Sequence, residues 1–395
     1  MDPLNEVVPL PSALADKKSR LEPFEWFDEQ RGRGDLHWDG DREFWDVFAY
    51  NAAERVLSRP DQFSNAILDE TDVFHDSLLG MDPPIHSEHR RLVEGDFTPA
   101  AIRAHESDIR GATRRLLAAA IDGPTGSIDC IADFARPLPL ATIAHVLGIE
   151  EDLHRHFAGE EMDTTSPEPP ETAVCIARHS DVPLNVARVL RRAVQTRDRE
   201  GGPIRKVIDE SDLDPDAQLR FAANLLVAGH LTTTNLIANA VRCLANRPDA
   251  LTTVREAART DAGEILDRAV EETLRFRSPI QHTARVATEQ VVVSGREIEP
   301  GDRIVVWLLA ANRDPAVFDD PATFDPTRDP NPNMAFGRGP HVCLGAHLAR
   351  LEARVALEEL FRRVETLELV ETTYEPVETS FLHGVDRLPV RYEVG

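Results

Sequence analysis

Residues 221–246 constrain the fold more than any other stretch of the chain. Phe221, Leu225, Leu226, Val227, Leu236, Ile237, Val241 and Leu244 make a helical pattern that is apolar on nearly every face. A surface helix carries one apolar stripe, whereas a helix apolar all round runs through a core. Other helices must therefore wrap it, and helical patterns at 99–121, 127–147, 181–198, 262–277 and 344–364 can do so. Residues 41–50 read as a strand pair leading into a helix near 51–57. Residues 286–309 read as hairpins with turns at Ser294-Gly295 and Pro300-Gly301, and 367–394 alternates like strands again. The expected architecture is mainly α with a smaller β-rich lobe.

The middle of the apolar helix departs from ideal helix chemistry. It reads Ala228-Gly229-His230-Leu231-Thr232-Thr233-Thr234. Glycine and β-branched threonine weaken a helix. A threonine hydroxyl can bond the carbonyl one turn back and bend the helix locally. An opened, hydroxyl-lined segment inside a core could hold a small polar ligand.

A second run is more specific: Ala335-Phe336-Gly337-Arg338-Gly339-Pro340-His341-Val342-Cys343-Leu344-Gly345, at the doorstep of the 344–364 helix. Glycines can take backbone angles closed to other residues, which lets several N–H groups turn toward the Cys343 sulfur. The helix behind the loop adds the positive end of its dipole. Both effects are expected to favour thiolate over thiol. A stabilised thiolate is a good axial ligand for haem iron and favours O–O cleavage.

This run resembles the Phe-Gly-x-Gly-x-His-x-Cys-x-Gly motif of the cytochromes P-450, the haem-thiolate monooxygenases, matching it at Phe336, Gly337, Gly339, His341, Cys343 and Gly345. The resemblance implies that Cys343 ligates the iron of haem b (iron protoporphyrin IX), with haem between the long central helix and the cysteine loop. Phe336, Gly337 and Gly345 would then contact the cofactor. The stretch 228–234 resembles the family's oxygen groove, which implies catalytic roles for Thr232, Ala228 and Gly229. Leu231 departs from the pattern, because the family usually carries an acid there. Three readings stay open: a proton relay through water and Thr232, a polar group supplied by substrate, or slower and leakier oxygen activation.

Two further segments extend the resemblance. Glu272-Thr273-Leu274-Arg275 puts an acid and a base three apart on one helix face. The family joins such a pair to an arginine that Arg328 matches, which implies a buried structural network of Glu272, Arg275 and Arg328. Buried haem propionates need cationic or hydrogen-bonding partners. His86 and Arg90 lie four apart, so both could face one propionate. Arg285 and His341 match the family's other partners. Family position also implies a substrate wall of Ile67, Leu68, Phe74, Leu78, Leu79, Leu225, Ile280, Gln281, His282, Phe381 and Leu382. That set suits a medium-sized, largely apolar molecule, with polyketide, terpenoid or peptide-derived secondary metabolites as the expected class. Hydroxylation and epoxidation are the expected outcomes. Ring coupling, desaturation, peroxide-driven chemistry and a non-catalytic haem-binding module stay open as alternatives.

The 395 residues would ordinarily suggest two or three domains. Because pieces of one site come from most of the length, one domain over 1–395 is expected, with 1–30 as an N-terminal extension and 158–210 as a variable region. Within that region, Ser166-Pro167-Glu168-Pro169-Pro170 cannot be regular helix. It reads either as an exposed loop or as a lid over the substrate channel. A formal net charge of −25 argues against nucleic acid and anionic membrane surfaces. No stretch approaches the apolar run of about 18 residues that a membrane span needs, and 1–21 has no apolar signal core, so a cytoplasmic monomer is expected. The four cysteines form no Cys-x-x-Cys pair, against zinc and against a disulfide framework. No lysine follows the loop glycines as a phosphate loop requires. A cysteine hydrolase would need a histidine base in reach of Cys343; His341 is two residues away but need not face it in a tight loop, and no orienting acid is evident. No flavin or nicotinamide motif is present, so electrons would come from an external ferredoxin and its NAD(P)H-dependent reductase. Such partners are acidic, which implies a basic docking face, with Arg91, Arg338, Arg350 and Arg354 as candidates.

Overall fold

The computed structural model describes residues 8–67, 77–149 and 202–395. After a short helix at Lys17–Leu21, α1 spans Phe24–Arg33. Strands β1 (Leu36–Asp39) and β2 (Phe44–Val47) lead into α2 (Tyr50–Leu57), and β3 is Phe63–Ser64. Then come α3 (Ile85–Val93), α4 (Pro99–Arg103), α5 (Glu106–Ala120), β4 (Thr125–Asp129), a π-helical turn at Ile131–Ala135, and α6 (Pro137–Val146). The chain continues through α7 (Pro203–Glu210), α8 (Pro215–Ala245), α9 (Pro248–Arg259) and α10 (Gly263–Phe276). Strands β5 (Thr283–Ala287), β6 (Val291–Val293), β7 (Arg296–Ile298) and β8 (Arg303–Val306) precede α11 (Leu308–Ala311). Last come α12 (Ala346–Arg363), β9 (Val364–Leu369) and β10 (Pro389–Val394).

The apolar segment is indeed a central helix. Asp214 caps α8, its carboxylate accepting from the N–H groups of Asp216 and Ala217 at 3.0 and 2.9 Å, and Pro215 fits the first turn. The helix runs on without the opened middle that its composition suggested. Thr232 and Thr234 bond the carbonyls one turn back, Oγ1 to Ala228 O at 2.7 Å and to His230 O at 3.1 Å, leaving the backbone ladder whole. The second half packs Leu236, Ile237, Val241 and Leu244 against Phe134, Leu138, Val254, Val270 and Leu357. The first half packs Phe221 and Leu226 against Ile143, Val93 and Leu348.

The β-rich lobe is a five-stranded sheet in the order β1-β2-β8-β5-β3, with β2 and β8 parallel and the other neighbours antiparallel. A second sheet pairs β10 with β4 and β9, and β6-β7 is a hairpin that turns at Ser294-Gly295, both with positive φ. Helix α1, whose residues 24–30 were expected within an N-terminal extension, is built into the lobe. Phe27 is buried, and its ring lies 5.4 Å from that of Trp307. Pro203–Glu210, expected within the variable region, is a helix that buries Ile204 and Val207.

Several boundaries differ from the sequence reading. The first strand pair is 36–47, and Asp41–Glu43 is its turn, with Glu43 at positive φ. The 99–121 pattern breaks at Ala104-His105 into α4 and α5. The 127–147 pattern is helical only from 131, because Ser127, Ile128 and Asp129 pair with Arg391, Val390 and Pro389 far along the chain. The 367–394 stretch is strand only at its ends. Helix α9 was not foreseen, since its buried face is made of Ala250, Val254, Ala257 and Ala258, small side chains that give little periodicity. Residues 158–180 and 181–198 lie outside the described residues. No described helix is long and apolar enough to cross a membrane.

Candidate functional site

The cysteine loop is closed by backbone bonds from Gly337 N to Met334 O and from Cys343 N to Phe336 O, both 2.9 Å. Gly337 and Gly339 both have φ of 72°. A Cβ on Gly339 would also lie 2.6 Å from the carbonyl oxygen of Leu57 and 3.0 Å from Cα of Ser58, so only glycine lets the loop seat against the end of α2. The Gly345 N–H donates to the Cys343 sulfur, and Arg90 and Arg350 add positive charge. The expected preference for thiolate is nevertheless not met by the chain alone. Burial pushes the Cys343 thiol up, outweighing those three contributions. A metal bonded to the sulfur would reverse this, since a coordinating thiol is deprotonated outright. The Cys343 side chain also presents open surface despite its depth, so it borders an internal gap.

Helix α8 also presents open surface along part of its length. Residues 233–244 are all buried, whereas Leu225, Ala228, Leu231 and Thr232 share an accessible face. Leu344 and Leu348 join the cluster of Leu226, and Phe336 packs on the cluster of Leu236, so the cysteine loop flanks this part of the helix. Gly229 has a packing role beside the one its motif implies. A Cβ there would sit 2.7 Å from Cγ1 of Ile143, so the glycine lets α6 approach α8.

His86 and His341 are in ring contact, with centroids 4.0 Å apart. Neither ring nitrogen of buried His86, nor Nε2 of His341, has a hydrogen-bond partner among the described residues. Burial lowers the pKa of His86, helped by the charge of Arg90, and lowers that of His341 to about 3, helped by His86 and Arg285. Arg285 is buried and held at about 10 by loss of solvation. Its Nη1 donates to Thr283 Oγ1 and the Ala284 carbonyl, at 3.2 and 2.6 Å. Asp82, the acid that offsets both Arg285 and His341, accepts from Ser64 and from the Asn65 N–H. Orphaned imidazole nitrogens beside a desolvated guanidinium fit a group that brings its own carboxylates. Haem, with two propionates, fits this donor set. Arg90 is placed differently, because its Nη1 donates to the Val342 carbonyl at 2.9 Å and so braces the cysteine loop.

The segment leading into the loop is held by a buried ionic network. Glu272 and Arg275 are fully buried and bidentate, with Nε to Oε2 and Nη2 to Oε1 both 2.8 Å. Arg328 Nε reaches the same carboxylate at 3.1 Å, as do Asn331 Nδ2 at 3.1 Å and the Asp325 N–H at 2.9 Å. Arg275 also donates to the carbonyls of Asn312, Pro321 and Thr323. Asn312, which the sequence did not single out, is buried, and its Oδ1 accepts from Met334 N at 2.7 Å, fixing where the loop starts.

The expected basic docking face is largely neutralised. Arg350 pairs with Glu271 at 2.5 Å and lies over the Phe336 ring, while Arg354 meets Glu106, Asp267 and Glu358. Arg338 donates to Tyr50 Oη and to the carbonyls of Pro332 and Asn333. Of the four arginines, Arg91 alone is exposed and without an acid partner among the described residues.

The substrate-wall candidates divide. Leu68 and Phe74 lie outside the described residues. Leu225 is on the accessible face of α8, Leu79 is exposed, and Leu78 packs on the Leu226 cluster. Ile67 packs on the Trp307 cluster. An antiparallel bridge joins Ile280 to Leu382, and Gln281 N bonds the Phe381 carbonyl at 3.1 Å, which brings these two distant segments together. Gln281 and His282 are buried rather than open: the Gln281 amide bonds the Ser380 carbonyl, and the His282 ring packs edge-on to Trp307 at 5.0 Å. Burial holds His282 neutral, with its pKa near 4.

Glu352, on α12, was also missed. It is fully buried, and the Thr142 hydroxyl, which donates to the Leu138 carbonyl at 3.0 Å, is the polar side chain beside its carboxyl group. Burial raises its pKa well above the ordinary 4.5, so it keeps its proton in the folded state. The unfolded chain ionises first. The contribution of Glu352 to wild-type stability is therefore expected to fall as pH rises above 4.5, by up to about 1.4 kcal/mol per pH unit, until its folded pKa is passed. Glu352→Gln is expected to gain on wild type as pH rises through that window. Melting temperatures of both proteins from pH 5 to 8 check this, and a constant difference refutes it.

Comparison with known proteins agrees with this geometry. The Cytochrome P-450 family model matches residues 204–394. Cytochrome P-450 109 of Bacillus spizizenii is 37% identical over 393 residues, covering 96% of this chain and 94% of the relative. The structure of CYP109E1 from Bacillus megaterium in complex with testosterone is 33% identical with a TM-score of 0.81, covering 95% of this chain and 99% of that one. The post-tailoring hydroxylase HmtN, involved in himastatin biosynthesis, is 34% identical with a TM-score of 0.80, covering 94% and 96%. At 37% identity over nearly the whole length of both chains, this chain is a member of the cytochrome P-450 family of monooxygenases.

Proposed function

We propose that this enzyme hydroxylates or epoxidises a medium-sized, largely apolar secondary metabolite, using haem b, O₂ and two electrons from a ferredoxin and its reductase. Bound haem supplies the oxygen-activating chemistry. The chain supplies the Cys343 sulfur as axial ligand and the donors of His86, His341 and Arg285 for the propionates. The observation that carries the substrate class is the accessible face of α8, where Leu225, Ala228 and Leu231 present carbon and Thr232 presents the one hydroxyl. A wall of this kind selects by shape and apolar area, with few polar anchors. The testosterone complex of CYP109E1 and the himastatin role of HmtN support the same size class.

Leu231 cannot move a proton, so the relay through Thr232 is the favoured reading. In the resting chain the Thr232 hydroxyl is turned to the Ala228 carbonyl, and to serve the gap it must swing off that bond. Titrating the haem-loaded enzyme with steroids, macrolides and cyclic peptides should give a spin-state shift with at least one class. Thr232→Ala should keep that shift while product formed per NADPH falls roughly tenfold or more. Failure of every class to shift the spectrum overturns the substrate proposal. Unchanged coupling in the variant overturns the role of Thr232.

A further inference from the structure

We infer that His105, Asp108 and His145 form a transition-metal site of the zinc(II) type on the outer surface, bridging α5 and α6. His105 immediately precedes α5, Asp108 lies in its first turn, and His145 lies in the last turn of α6. One ligand atom from each comes within 4.8 Å of the other two. His145 Nε2 is 3.5 Å from Asp108 Oδ2, and the two imidazole rings meet edge-on with centroids 5.2 Å apart. Donors on one tetrahedral zinc lie about 3.3 Å apart, so modest side-chain rotation closes this set on an ion.

The donor chemistry selects the class of ion. Two imidazoles and one carboxylate suit zinc, nickel or copper, whereas magnesium and calcium take all-oxygen shells. The backbone here is firm, since the His105 carbonyl accepts from Asp108 N and Ile109 N at 3.1 and 3.0 Å. The other two side chains are open to solvent, Asp108 at 62% and His145 at 45% exposure, so an ion can enter without any opening of the fold. The C-terminal end of α6 favours a cation at His145. Three protein ligands leave a position for water. The bound ion would tie α5 to α6, the helix whose Ile143 lies against Gly229.

The test uses the haem-loaded enzyme, stripped of loose metal with a chelator and then dialysed against zinc chloride. We expect one equivalent of zinc on the wild type, a rise in melting temperature with added zinc, and no response to magnesium chloride. His105→Ala and His145→Ala should each weaken zinc binding at least tenfold and abolish the rise, while haem content stays unchanged. Because both variants are at the surface and haem spectra report their folding, loss of binding is separable from loss of structure. A wild type that binds no zinc overturns the inference. So does a double variant that still binds one equivalent with unchanged affinity.

Discussion

Cys343→Ser is expected to abolish the far-red-shifted Soret band of the reduced carbonyl complex and to lower product formation by about a hundredfold or more. The fold should survive the change. The loop is held by Gly337 N to Met334 O, Cys343 N to Phe336 O, and the seating of Gly339 against Leu57, none of which involves the sulfur. The serine oxygen can still accept the Gly345 N–H. What serine cannot do is become an anionic, polarisable ligand where burial already raises the cysteine thiol. The variant should therefore take up haem through His86, His341 and Arg285 yet show an ordinary carbonyl spectrum. An unchanged band would refute ligation by this residue.

Glu272→Leu is expected to cost about 3–5 kcal/mol, a large part of a stability of about 5–15 kcal/mol. The substitution leaves Arg275 fully buried without its carboxylate and strips Arg328, Asn331 and the Asp325 N–H of a shared acceptor. Haem-loaded protein should melt roughly 4–6 °C lower and accumulate poorly. Arg328→Leu should be milder, since its side chain is 12% exposed and the bidentate Glu272–Arg275 pair survives its loss. Melting temperature and haem content of both variants check the ranking. Equal losses would mean the network is not centred on Glu272.

The central helix and the cysteine loop could be found in the sequence because each rests on local pattern: an all-apolar helix and a cluster of glycines around one cysteine are visible within a few residues. The ionic network was reached only through the family resemblance, since an acid and base three apart are common on helices and Arg328 is more than fifty residues away. Less legible were features fixed by partners distant in the chain. Ser127–Asp129 became strand only because β10 lies alongside. Gly229 looked like part of a ligand groove, but nothing in its motif showed that its missing side chain also makes room for Ile143. Gln281 and His282 looked like polar anchors for a substrate, but a bridge to Leu382 and the Trp307 ring turn them inward. The four arginines near the cysteine looked like a docking face until Glu271, Glu106, Asp267 and Glu358 were found on two of them. Glu352 gave no local sign at all, being one acid in a charged helix whose burial only the packing reveals.

The two halves of α8 differ in a way that bears on how the enzyme can change. From 233 to 244 every side chain is locked in the interior, whereas Leu225, Ala228, Leu231 and Thr232 touch open space. Upstream of Thr232 only that one face is free, since Phe221, Leu226 and His230 on the opposite side are buried. Substitutions at the four open positions can therefore vary with little consequence for folding, whereas their neighbours on the same turns cannot.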